Sequence, residues 1–353
     1  MTPATTESLR EAWASLSSGH ARRFARDVAA DLSVCEGQLV AAGCGTDVVR
    51  LKAHWPEILY ELPSLGEVKI ITRNDAVVHE KVGSFGNITI SGTSGIVYNG
   101  GVDLRLFLGH WHHGFQVTTQ TPQGPRLSLQ FFDLSGVSVH KVFLTERSDS
   151  SAFDALISRY RAEDQSPQMT VTPAGQVDDR PDSLIDIHGL RAHWSALNDV
   201  HHFHDMLREF GVGRVQALRL IGEDFARVVP CHTVHETLVR AAHGNVPVMI
   251  FVGNAGCIQI HTGLIQQIVE KGEWLNILDS EFNLHVQTAQ VPRCWVVRKP
   301  SRNGVITTLE LYDHHNMNVA LLCGERHGSE VEREDWRALL AGLPTLSVKE
   351  ATH

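Results

Sequence analysis

The chain repeats itself. Leu9-Arg10-Glu11-Ala12-Trp13-Ala14-Ser15-Leu16 returns as Leu190-Arg191-Ala192-His193-Trp194-Ser195-Ala196-Leu197. Val68-Lys69-Ile70-Ile71-Thr72-Arg73-Asn74 returns as Val248-Met249-Ile250-Phe251-Val252-Gly253-Asn254, and Leu129-Gln130-Phe131-Phe132-Asp133 as Leu309-Glu310-Leu311-Tyr312-Asp313. The three matches come in order, 180 or 181 residues apart. Solenoid units are roughly 20–50 residues, so this period means a duplicated domain rather than an array. At 353 residues, each copy is long enough to bury its own core. Residues 162–186 hold Pro167, Pro173, Pro181 and five Asp with little apolar content, and read as a linker. The expected organisation is therefore a first repeat at 1–161, a linker at 162–186 and a second repeat at 187–345.

Each half opens with helix-like periodicity, over 7–62 and 183–243, and then turns into short β-like runs bounded by Gly, Asn, Asp and Ser. Such runs are 87–91, 102–108, 127–132 and 137–144 in the first half. In the second they are 248–253, 257–262, 275–278, 283–288, 294–298 and 305–312. Strands gathered after helices imply an α+β fold with an antiparallel sheet in each half. No G-x-G-x-x-G follows a strand, which argues against a dinucleotide site.

A net charge of −9 argues against a nucleic-acid binder. The longest apolar runs, such as 246–252, are too short to span a bilayer. The N-terminus lacks a basic stretch followed by an apolar one, so no signal peptide is expected, and the six cysteines form no C-x-x-C. Reduced thiols in a cytoplasmic protein are the expectation. Cys231-His232 with His235 is a weak metal candidate, because a fourth ligand is missing.

The composition is unusual in one respect: 21 histidines against 4 tyrosines. The best chemical candidate is 195–210, SALNDVHHFHDMLREF, read as one helix capped by Asn198 or Asp199. Val200, Phe203, Met206, Leu207 and Phe210 then form an apolar stripe. His201, His204 and Arg208 share one flank, while His202 points the other way. An imidazole flank beside a core can grip a half-buried planar ligand, since neutral imidazole ligates iron, zinc and copper. The same spacing also fits a polar helix edge facing solvent. The i,i+3 pair His201/His204 is not H-E-x-x-H, so zinc-protease chemistry is not supported. Elsewhere, His110 and His112 share a face if the preceding strand continues, His314-His315 reads as a turn, and His79-Glu80-Lys81 as a charged strand end.

Several stretches together resemble the bacterial cytoplasmic hemin-degrading and haem-trafficking proteins of the HemS, ChuS and PhuS type. They are Asp103-Leu104-Arg105-Leu106-Phe107, Asp199-Val200-His201-His202-Phe203, Phe251-Val252-Gly253-Asn254, Cys257-Ile258-Gln259-Ile260-His261-Thr262-Gly263, Trp274-Leu275-Asn276-Ile277, Phe282-Asn283-Leu284-His285 and Arg298-Lys299-Pro300. The resemblance covers nearly the whole chain, duplication included, and the His201/His202/His204 pattern looks most like the PhuS branch. It implies that each half is a small helical part plus a large antiparallel sheet, with a haem cleft between the halves. It implies His201 as the axial iron ligand and Arg105, from the first half, on the opposite haem face. Arg214 and Lys299 match the basic residues that pair with the propionates. Read alone, Lys299 fits a solvated strand end equally well. Both cations are expected at a partly exposed rim, where each pair is worth about 0–1 kcal/mol. Cys323 departs from the family, which carries an aromatic residue there. His20 lies opposite His201 in the repeat but lacks the aromatic helix around it.

Three functions follow from this reading. The first is a haem chaperone in haem-iron uptake, with His202 and His204 as alternative ligands during hand-over to a haem oxygenase or with a reductase as partner. The second is an enzyme that opens the porphyrin, with Arg105 as the catalytic group steering bound oxygen or peroxide. The third is a metal-binding or structural scaffold without haem.

Overall fold

In the computed structural model, which describes residues 4–18, 23–173, 175, 179–328 and 330–346, the first helix begins at a capping box. The Thr5 hydroxyl accepts from the Ser8 amide at 3.2 Å and the Ser8 hydroxyl accepts from the Thr5 amide at 3.0 Å, starting α1 (Thr6–Ser17). Leu9, Trp13 and Leu16, at helical spacing, are its buried face. Then come α2 (Ala25–Asp31), α3 (Glu36–Ala41), β1 (Val48–Arg50) and α4 (Trp55–Glu61). The strands β2 (Gly66–Arg73), β3 (Val77–Ser84), β4 (Ile88–Ser91), β5 (Ser94–Asn99), β6 (Val102–Phe107), β7 (His113–Thr121), β8 (Gly124–Phe132) and β9 (Ser138–Ser148) follow, and α5 (Ser150–Tyr160) ends the first half.

The second half repeats this plan. It has α6 (Ile187–Ser195), α7 (Phe203–Glu209), α8 (Arg214–Ile221), β10 (Ala226–Val229) and α9 (Thr233–His243). Its strands are β11 (Val248–Gly253), β12 (Cys257–Gly263), β13 (Ile268–Lys271), β14 (Trp274–Leu278), β15 (Phe282–Gln287), β16 (Arg293–Ser301), β17 (Gly304–Tyr312) and β18 (Asn318–Gly324), before α10 (Glu334–Ala341). Leu190, Trp194 and Leu197, the residues that match Leu9, Trp13 and Leu16, are again buried.

The chain forms two compact units. One comprises 1–73, 79–175 and 253–259; the other comprises 74–78, 176–252 and 260–353. The first carries the antiparallel order β1-β7-β8-β9-β2 and the meander β4-β5-β6, with 257–259 paired to β6. The second carries β10-β16-β17-β18-β11 and the meander β13-β14-β15. The same order in both units is the duplication in three dimensions. Even the irregularities repeat: the register shifts at Phe131/Phe132 and again at Leu311/Tyr312.

Each unit includes a short turn from the other repeat. Asn254 caps its own turn by accepting from the Gly256 and Cys257 amides at 3.0 Å, and donates to the carbonyl of Val139 at 2.8 Å within the first unit. Its repeat partner Asn74 accepts from the Ala76 and Val77 amides and donates to the carbonyl of Val319 within the second unit. An Asx turn needs this side chain two residues before the amides it binds.

Several expectations change. The stretch 162–186 is not bare linker. Gln165 exchanges two hydrogen bonds with the Arg50 backbone, Met169 is buried, and Asp182 takes both nitrogens of Arg219 at 2.6 and 2.7 Å. Strands β1 and β10 interrupt the helical openings; at three and four residues they are too short to show a period of two. His110 and His112 do not extend β6, which ends at Phe107 and turns into a 3₁₀ segment over Leu108–His110. His79 is not a charged strand end: it is fully buried in β3, its Nδ1 2.7 Å from Gln259 Nε2. The His314-His315 turn is as expected, with Asp313 accepting from the His315 and Met317 amides at 2.8 Å. His20 lies outside the described residues.

Candidate haem-ligand site

The segment 195–210 is not one helix. α6 stops at Ser195, Asp199 is extended, Val200–His202 form a 3₁₀ turn, and α7 starts at Phe203. The cap explains the break. A side chain that can cap also competes with helix continuation, and Asp199 accepts from the His201 amide at 2.9 Å. The apolar stripe survives: Phe203, Met206 and Leu207 are buried. The flank does not keep its helical phase, because a 3₁₀ turn has 3.0 residues per turn. His201, His202 and His204 are all exposed. Arg208 pairs with Asp205 at 2.5 Å on the surface, where such a pair contributes little.

Asp199 also fixes the His201 ring. Its Oδ1 lies 2.6 Å from His201 Nδ1, and these bonds hold the Asp199 carboxyl below the usual range. The imidazole is 83 % exposed. With Nδ1 committed to a carboxylate, the proton sits there and Nε2 is left as the outward lone pair. A carboxylate on the far ring nitrogen sets tautomer and orientation of a metal-ligating histidine in this way. A haem iron asks for such a nitrogen. Among the described residues no group of three or more His, Cys, Asp or Glu is placed to hold a bare metal ion, so Cys231-His232 with His235 does not make a metal site.

Arg214 and Lys299 belong to a buried charge cluster that the sequence reading missed. Its centre is Glu310, with no solvent exposure. Glu310 Oε2 accepts from Arg214 Nε at 3.0 Å, from Arg214 Nη2 at 2.7 Å and from the Tyr312 hydroxyl at 2.5 Å. Oε1 accepts from Lys299 Nζ at 2.5 Å and from the Thr308 hydroxyl at 2.9 Å. Burial favours the neutral acid, but Arg214 and Lys299 win and hold this carboxyl far below the usual range. Burial lowers Lys299 to about 8 against the pull of Glu310. Arg214 stays charged because Glu310 outweighs its own burial.

The expected partly exposed rim is corrected for Lys299, which is 4 % exposed, while Arg214 is half-buried, its side chain 27 % exposed; both are already paired with Glu310. The physical reason lies on β17: Thr308, Glu310 and Tyr312 alternate onto one strand face, and a buried acid requires cations. Cys323 is also buried, a neutral thiol pushed up to about 12.

Both cations lie over the Phe203 ring, Lys299 Nζ at 4.4 Å and Arg214 Cζ at 5.3 Å. Trp194 meets the same ring edge-on at 4.7 Å, its indole N–H donating to the Arg298 carbonyl at 2.9 Å. These groups all lie in the second unit. Arg105 lies in the first, in β6, paired through Nη1 with Asp103 and 37 % exposed. Burial raises the Asp103 carboxyl, and Arg105 opposes that rise.

Residues 33–160 and again 211–343 match the family described as the haemin-degrading HemS/ChuX domain. The chain belongs to that family. It is 36 % identical to the hemin transport protein HmuS of Yersinia pestis over 341 residues, covering 95 % of this chain and 97 % of that protein. It is 41 % identical to holo-PhuS, a heme-binding protein from Pseudomonas aeruginosa, with a TM-score of 0.94 over 97 % of this chain and all of that one. ChuS, described as a heme oxygenase of E. coli, is 34 % identical with a TM-score of 0.86, over 95 % and 99 % of the two chains. The HemS/ChuX unit occurs here as a tandem pair with two large antiparallel sheets.

Proposed function

We propose that this chain is a cytoplasmic haem-binding protein of haem-iron uptake, which receives imported haem and passes it on. The observation that carries the proposal is the Asp199–His201 pair, which leaves an oriented, solvent-facing Nε2 for the iron. In this reading Arg214 and Lys299 supply positive charge for the propionates, and Arg105 supplies a second polar contact. His202 and His204 take the iron during hand-over. The repeats are 1–161 and 187–345, joined by 162–186. The names of HmuS, a hemin transport protein, and PhuS, a heme-binding protein, support haem as the ligand. No helix among the described residues is long and apolar enough to cross a membrane.

A second reading, haem breakdown by this chain itself, is favoured by the likeness to ChuS. There haem is the substrate, and Arg105 is the group that steers the co-substrate.

The test begins with a haem titration followed at the Soret band. His201→Ala should weaken haem binding by about tenfold or more and change the spectrum, since iron–imidazole ligation dominates the affinity. An unaltered spectrum and affinity would remove His201 from the site. Ascorbate in air, with catalase present, then separates the two readings: a persistent Soret band supports transfer, and its loss supports ring opening.

A further inference from the structure

We propose that Glu310 is a positioning residue for the histidine turn: it fixes Arg214 and Lys299 over the Phe203 ring, and Phe203 in turn sets how His201 is presented. The inference rests on the reading of His201 as haem ligand and extends it to residues 310 and 203.

The turn itself has little to hold it. Val200–His202 is a single 3₁₀ turn, and its histidines face solvent. Its fixed points are few. Asp199 caps it, the Asn198 carbonyl accepts from the Arg302 amide at 3.0 Å, and Phe203 plunges into the core directly after it, only 3 % exposed. Phe203 is therefore the anchor on the downstream side, one residue beyond His202.

That anchor belongs to an apolar cluster with Leu190, Trp194 and Met206, but two cations also lie over its ring. The ring is bounded by Trp194, Lys299 and Arg214. A cation over an aromatic face contributes roughly 0.5–2 kcal/mol, more when water is excluded. A buried cation holds such a place only if its charge is compensated. Glu310 does this for both at once. Each of its oxygens binds one cation and one hydroxyl, from Thr308 on one side and Tyr312 on the other.

The first unit serves as an internal control. The residues 180 before Thr308, Glu310 and Tyr312 are Ser128, Gln130 and Phe132, a neutral set. There Gln130 donates to the Ser128 hydroxyl at 3.1 Å. The buried acid with its two cations thus appears in the half that carries the histidine turn and not at the matching place in the other.

Charge counting shows why affinity alone is the wrong readout. Arg214 and Lys299 contribute +2 and Glu310 −1, so the cluster is at +1. Glu310→Gln removes the carboxylate that holds the Lys299 proton against burial, so it alters the charge offered to an anionic ligand as well as the turn. Affinity mixes the two effects, and the spectrum reports the turn.

The test uses Glu310→Gln, which keeps size and hydrogen-bonding capacity, and Phe203→Leu, which leaves every Glu310 ion pair intact. Folding of each is checked by circular dichroism. In the wild type, His201→Ala is expected to shift the Soret band and the ferric EPR spectrum. In either variant background the spectrum should already differ, and adding His201→Ala should change it far less, because His202 or His204 has taken part of the iron. In the haem-free protein, the His201 Cε1–H resonance should move toward its unfolded position in both variants. Wild-type spectra that remain fully dependent on His201 in both backgrounds overturn the proposal. If Glu310→Gln does not fold, Phe203→Leu decides. If His201→Ala leaves the wild-type spectrum untouched, the haem-ligand reading fails, and the resonance of the haem-free protein still decides whether Glu310 orders the turn.

Discussion

Glu310→Ala is expected to destabilise the second unit by about 3–5 kcal/mol, the range for stripping one partner from a buried ion pair. The reason is asymmetric compensation. Without Glu310, buried Lys299 and half-buried Arg214 remain against Phe203 with no acid between them, and the Thr308 and Tyr312 hydroxyls lose their acceptor. Lys299→Met should behave differently. Glu310 keeps Arg214, the methionine fills the same space, and burial already pulls Lys299 down to about 8. A loss within about 1 kcal/mol, or a gain, is the expected result. The pH dependence has a definite sign. The folded Lys299 binds its proton less tightly than an unfolded lysine, whose pKa is 10.5. The unfolded chain thus holds more protons between about 8 and 10.5, and wild-type stability should rise with pH across that window. Lys299→Met should lack that rise. Urea denaturation at pH 7.5 and 9.5 measures both points; a Glu310→Ala loss below about 1 kcal/mol would show that the cluster is wetter than its exposure indicates.

The duplication was legible because its matches fall where each half has no freedom. Leu9, Trp13 and Leu16 are the buried face of α1, Leu190 and Trp194 that of α6 with buried Leu197 just beyond it, and Asn74 and Asn254 each cap a turn by the same pair of bonds. Side-chain periodicity carries that information directly. The turn at His201 was legible in part: Asn198 or Asp199 was read as a cap, and Asp199 is the one that caps it. The misread helix has the same source. A capping residue inside an apolar period is equally a stop signal, and periodicity does not say which. The buried cluster was harder. Arg214, Lys299 and Glu310 are 85 and 11 residues apart along the chain, joined only when β16 pairs with β17 and α8 lies beside them. One signal was present: Glu310 stands between Leu309 and Leu311 in a strand with apolar residues on both faces, where an acid is tolerated only if paired. His79 and His140 were missed for the opposite reason. A histidine buried within a strand leaves no pattern distinct from a solvent-facing one.

His140 is the clearest case of such burial, and it makes the first unit acid-sensitive. It is fully buried on β9, and burial lowers its pKa to about 3. Its Nδ1 lies 2.8 Å from the Thr72 hydroxyl, which is 3.4 Å from the Cys257 sulfur. Cys257 is itself pushed up to about 12 by burial and stays neutral, so it offers the ring no counter-charge. Phe85 and Trp111 meet the ring at 6.5 and 6.3 Å. Among the described residues its Nε2 has no partner, and the tautomer with the proton on Nδ1 leaves only a lone pair there rather than a buried N–H. The folded state therefore keeps His140 neutral, while the unfolded chain takes up a proton below 6.5. Stability is full above that value and falls as pH drops toward 3. Between pH 7 and pH 5 this one group should remove about 2 kcal/mol. His140→Leu abolishes the titration and leaves Thr72 with Cys257 as neighbour. It is expected to be slightly less stable than wild type at pH 7 and to gain on it by about 2 kcal/mol at pH 5. Parallel urea unfolding of the two proteins at both pH values, followed by a probe in the first unit such as Trp111 fluorescence, measures that difference. A gap that stays constant from pH 7 to pH 5 would mean that His140 reaches water or a partner and titrates in the folded state like any exposed histidine.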